Sequence, residues 1–104
     1  MSSHDDLTDC FERKVGAWFA GEGRRTVADR KHLRQMNMAL ALAASRWLEM
    51  VEEGEPVERM HAWLGQIEER AERRRAAARI EAIQRARTWF NDCVSLNGHV
   101  KNGH

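Results

Sequence analysis

Residues 36–44 read MNMALALAA, apolar at every position except Asn37. A helix on the surface of a small domain shows an apolar stripe backed by polar residues. Here the polar side is missing for about two turns. A chain of 104 residues forms one domain around a single modest core. A helix that is apolar on two sides therefore requires two packing partners, and the second of them can be another chain.

A helical wheel locates the excess. With Leu33 at zero, Leu40, Ala44, Trp47 and Val51 fall within about 40° of it, a seam that Met36 and Leu48 broaden. Met38 and Leu42 fall roughly 140° and 180° away. Alanines 39, 41 and 43 flank them, small enough to let another helix approach closely. The wheel thus predicts an outward apolar patch at Met38 and Leu42.

The rest of the chain reads as helix too. Val, Ile and Thr are sparse beside Ala, Leu, Met, Glu and Arg, and the only proline is Pro56. A first helix is expected over 4–20, capped by Ser3, carrying Leu7, Phe11, Val15, Trp18 and Phe19 at helical spacing and ended by the GEG at 21–23. A second is expected over 27–53, with Thr26 and Asp29 as an aspartate version of the capping box and Gly54 as its stop. A third region covers 56–97, opening on Pro56. Its seams are Val57, Met60, Leu64, Ile67 and Ala71, then Ala76, Ile80, Ile83, Phe90 and Val94. The five-residue step from 71 to 76 turns the stripe by about 140°, so either the helix breaks near Arg73, the favoured expectation, or one long helix uses two faces against two neighbours. The fold class is all-α, a single domain of three to five helices over 1–97. A flexible C-terminal tail is expected over 98–104.

Charge and targeting signals narrow the partners. Formal net charge is +1, so no global field draws the chain to nucleic acid or to an anionic membrane. The longest apolar run is far below the roughly 20 residues that span a bilayer. The start, MSSHDDLTDC, lacks the basic and apolar segments of a secretory signal. With only Cys10 and Cys93, the expectation is two reduced thiols in a cytoplasmic protein.

No constellation carries chemistry. The candidate metal ligands His4, Cys10, His32, His61, Cys93, His99 and His104 show none of the close pairs that zinc sites use. Cys93, in WFNDCVSL, reads as core packing rather than an activated thiol. The GEG has neither the preceding strand nor the lysine of a phosphate loop. Glu68 and Glu69 sit where i, i+4 pairing is expected, Glu69 with Arg73 attractively. The expectation is a protein that is not an enzyme and takes no metal or cofactor.

Two interaction readings remain. Between Arg70 and Arg87 seven arginines face two glutamates, so Arg73, Arg74, Arg75 and Arg79 are candidate phosphate contacts for a small nucleic-acid-associated helical protein. No helix-turn-helix spacing accompanies them. The other reading is protein–protein contact. Four tryptophans and five methionines are many for this length; tryptophan anchors interfaces and methionine adapts to them. The candidate interface set is Met38, Leu42, Met36, Trp47, Trp18 and Phe19, serving a homodimer or a partner.

Read as a whole, the chain resembles the QslA-type quorum-sensing anti-activators, through CFERKVGAWFAGEGRR, RQMNMALALAASRWLEM and ERAERRRAAARIEAIQRARTWF. That resemblance implies an all-helical homodimer that binds the autoinducer-binding domain of a LuxR-type transcription activator such as LasR. It implies that the activator is kept from dimerising, and so from holding a two-fold DNA site. No contact residue carries over position by position.

Overall fold

Leu7 and Phe11 lie one turn apart on α1 (Ser3–Ala17), and both are buried. The computed structural model to which this helix belongs describes the backbone of residues 3–102 and the side-chain surroundings of 7–94. After α1 the chain widens into a π-helical turn, Trp18–Glu22, kinked at Gly21, and closes with the single turn α2 (Gly23–Thr26). The helical path is therefore interrupted where the GEG begins, since Gly21 leaves helical dihedrals (φ 161°, ψ −19°), and a single helical turn follows it. Gly23 keeps helical dihedrals, and its role is space: a Cβ there would lie 2.7 Å from Cε2 of Trp18. The chain leaves helix over 27–29.

Asp29 then caps α3 (Arg30–Glu52), accepting from the backbone N–H of Lys31 at 2.9 Å and of His32 at 3.2 Å. The expected partnership with Thr26 does not form, because the Thr26 hydroxyl donates to the Glu22 carbonyl at 2.7 Å. The helix starts at Arg30 rather than 27. Its far end closes in a double hydrogen bond. Gly54 N–H reaches the Val51 carbonyl and Glu55 N–H the Met50 carbonyl, both at 3.0 Å. This motif needs a left-handed residue, and Gly54 supplies it with φ 78°.

Pro56 precedes α4 (Val57–Arg73), and α5 follows as Ala77–Asn102. The break expected near Arg73 is present. It repeats the α3 closure: Arg75 N–H meets the Glu72 carbonyl and Ala76 N–H the Ala71 carbonyl, both at 3.0 Å. Here the left-handed position is filled by Arg75, with φ 53°. Of the tail expected at 98–104, residues 98–102 continue α5, and 103–104 lie outside the described residues. The expected Ser3 cap also lies outside the described side chains. Among the described residues there are four long helices and no strand.

Helix α5 is the centre of the domain, and α1, α3 and α4 all lie against it. It runs antiparallel to α1, shown by Cys10 beside Cys93, Lys14 near Asp92 and Trp18 against Trp89. It is antiparallel to α4 as well, where Glu68 meets Arg87 and Gln84 while His61 meets Phe90. Helix α3 runs with it, from the His32–Glu81 contact at 2.9 Å to Trp47 edge-on to Phe90. Ala78, Ala82 and Ala86 are buried along α5 and let its neighbours approach closely. Phe11 stacks on Trp47 at 4.3 Å, tying α1 to α3 over the same core.

Two sequence expectations are corrected here. Cys10 and Cys93 are not separate thiols but a disulfide, with Cα atoms 5.8 Å apart. Antiparallel packing of α1 on α5 brings together cysteines 83 positions apart, a juxtaposition that no spacing rule encodes. Glu68 does not serve its own helix; it pairs with Arg87 and accepts from Gln84 at 3.1 Å, tying α4 to α5. Among the described residues, Glu69 and Arg73 form no ion pair.

Candidate functional site

Both α3 and α4 lean on α5 more than on each other, which leaves a groove between them. One wall is α3, with Ala39, Leu42 and Arg46; the other is α4, with Trp63, Ile67 and Arg70. The floor is the buried pair Ala71 and Ile83. This hollow of roughly 330 Å³ adjoins another of roughly 560 Å³, bounded by Met38 and Leu42 on one side and by Arg75 and Arg79 on the other. Ala39, Leu42 and Arg79 line both, so the two form one continuous surface.

Met38 and Leu42 project from this surface, each 69% exposed. They stand one turn apart on α3, on the side opposite the buried seam of Met36, Leu40, Trp47 and Val51. Large apolar side chains exposed singly are ordinary. A pair beside an apolar groove with a half-buried tryptophan in its wall is a docking surface in form. Small alanines between the larger groups keep the α3 wall low.

The other four candidates divide. Phe19, 45% exposed on the π-helical turn, is a surface residue. Trp18, Met36 and Trp47 are each 1% exposed or less and leave the interface set. Each has a core role instead: Trp18 packs edge-on to Trp89, Trp47 stacks on Phe11, and Met36 lies within the same cluster. The abundance of tryptophan marked them for an interface, whereas their phase on the helix marked them for the core. The phase decides.

The arginine stretch is dispersed by the break between α4 and α5. Arg73, Arg74 and Arg75 fall at the end of α4 and in the turn, with Arg79 in the first turn of α5; all four are exposed. Arg85 lies over the Trp18 ring at 4.7 Å, and Arg87 is held by Glu68. The arginines therefore do not form one helical phosphate-binding face. Arg75 and Arg79 belong to the apolar groove, a role the sequence could not reveal because the groove is built by three helices.

Among the described residues no cluster of three or more His, Cys, Asp or Glu side chains could hold a metal, and no helix is long and apolar enough to cross a membrane. His4, His99 and His104 lie outside the described side chains. No protein-family model, curated protein or solved structure matches the chain.

Proposed function

We propose that the protein acts by binding rather than by catalysis, as a cytoplasmic anti-activator of the QslA type, and that the groove beside Met38 and Leu42 is its working surface. On this reading the groove takes hold of the ligand-binding domain of a LuxR/LasR-type quorum-sensing activator. It covers apolar surface that the activator otherwise uses to dimerise. A monomeric activator cannot hold both halves of a two-fold DNA site. The homodimer that the resemblance implies belongs to the same proposal. The observation that carries the reading is the exposed Met38–Leu42 pair, apolar where a solvated helix face would be polar.

A DNA band shift tests it. The activator with its autoinducer is titrated with the protein, which is also run alone on the same DNA. The expected result is loss of the activator band with wild type, little loss with Leu42→Arg, and no band from the protein alone. An activator band that survives saturating wild-type protein contradicts the proposal. A salt-sensitive band from the protein alone would favour nucleic-acid binding instead.

A further inference from the structure

The apolar groove has a one-signed rim. The arginines lining its two hollows are Arg46, Arg70 and Arg79 around the first and Arg75 and Arg79 around the second, while His32, at the second, is tied to Glu81 at 2.9 Å. No aspartate or glutamate lines either. Arg46 is partly satisfied, 3.3 Å from Glu49 and 4.0 Å from Glu53. Among the described residues Arg70, Arg75 and Arg79 form no ion pair. An apolar floor with unpaired cations along its edges complements one kind of surface, an apolar stripe flanked by carboxylates.

The backbone at Arg75 supplies a second, independent observation. Arg75 and Gly54 occupy the same position of the same helix-closing motif, both with positive φ. Glycine adopts that conformation freely, while a side chain there is disfavoured. The turn after α4 thus holds an arginine where its own geometry favours glycine, and this arginine lies on the groove rim. Strain of this kind is characteristic of positions kept for contact rather than for stability.

We infer that the groove receives an amphipathic helical segment of the partner protein, its apolar stripe on Leu42, Met38, Trp63 and Ile67 and its carboxylates on Arg70, Arg75 and Arg79. The α3 wall from Gln35 to Arg46 spans about 16 Å at 1.5 Å per residue, which accommodates three turns of such a helix. A second copy of this chain is a poor occupant. Two-fold docking through this face would bring its arginine-lined rims together, which disfavours it. The inference rests on the reading of the groove as the partner-binding face and adds the chemistry of what enters it.

The test uses two fluorescein-labelled synthetic helical peptides with the same leucine stripe, one flanked by glutamates and one by lysines, titrated into the full chain by anisotropy. The glutamate peptide is expected to bind roughly tenfold or more tighter than the lysine peptide. Joint replacement Arg75→Glu and Arg79→Glu, at two exposed positions, is expected to reverse that order. Arg75→Gly is expected to raise thermal stability while weakening the glutamate peptide. Equal binding of the two peptides, no binding of either, or an unchanged order in the double variant would overturn the inference. So would a fall in light-scattering mass on Leu42→Arg, which would show that a second copy covers the face. An activator captured normally while the two peptides bind alike defeats this inference alone. A preferred glutamate peptide supports it whether or not the activator is captured.

Discussion

The indole Nε1 of Trp18 donates to Oδ1 of Asn37 at 2.8 Å, which explains the one polar residue in the apolar run at 36–44. Trp18 is buried between α2, α3 and α5, with Gly23 below its ring and Arg85 over it. Burying that N–H without a partner would be costly, and Asn37 on α3 provides the acceptor. Asn37→Ala is expected to cost about 1–3 kcal/mol by orphaning that donor. Trp18→Phe with Asn37→Leu should cost less than the sum of the single changes. Urea denaturation of wild type, Trp18→Phe, Asn37→Leu and their double variant measures the coupling.

Gly23 is tied to the same tryptophan. A Cβ at 23 would meet the Trp18 ring at 2.7 Å from Cε2 and 2.9 Å from Nε1. Gly23→Ala is expected to destabilise by about 1–3 kcal/mol and to shift tryptophan emission. Gly16→Ala is the control, since its Cβ meets nothing within 4 Å. That change should stabilise by about 0.5–1 kcal/mol, because alanine favours helix over glycine. Thermal melts distinguish the two.

The Cys10–Cys93 bridge closes a loop of 83 residues, so it restricts the unfolded chain strongly. Replacing both cysteines with serine is expected to lower stability by about 2–4 kcal/mol. Circular dichroism should still show helical protein, because Leu7 and Phe11 hold α1 to the core without the bond. Disulfides are scarce in reducing compartments, so the double-serine protein also reports the stability available to the dithiol form there. Wild type in excess dithiothreitol should melt close to that variant.

Asp29 accounts for a specific pH dependence. The backbone N–H groups of His32 and Lys31 hold its carboxyl below the ordinary value of 3.8. A carboxylate lowered by folding stabilises fully above that value, and the contribution is lost as pH falls through its folded value. Asp29→Asn keeps a capping oxygen but cannot titrate. The difference in melting temperature between wild type and Asp29→Asn is therefore expected to be flat from pH 7 to about pH 5 and to shrink towards pH 2.

How much of this was legible in the sequence follows from the physics of each part. Helix phase is local, so the wheel placed Met38 and Leu42 outward and the seam at Leu40 and Trp47 inward, and the step from Ala71 to Ala76 disclosed the break. Composition is not directional: tryptophan and methionine abundance put Trp18, Met36 and Trp47 at an interface, while their phase put them in the core. The disulfide, the Glu68–Arg87 tie and the basic rim depend on which helices meet. None of these leaves a trace in spacing along the chain. The cap is half legible: spacing marks Asp29, but the threonine it points to turns its hydroxyl back to Glu22.

The proposed function requires the groove at Leu42 to hold an activator's ligand-binding domain as a monomer. Sedimentation velocity of that domain mixed with the full chain, wild type or Leu42→Arg, reads this out. Wild type is expected to convert the activator dimer into a complex holding single activator domains. Leu42→Arg, with helix content unchanged by circular dichroism, should leave the dimer sedimenting as it does alone. A dimer untouched by wild type, or dissociated equally well by Leu42→Arg, would contradict it.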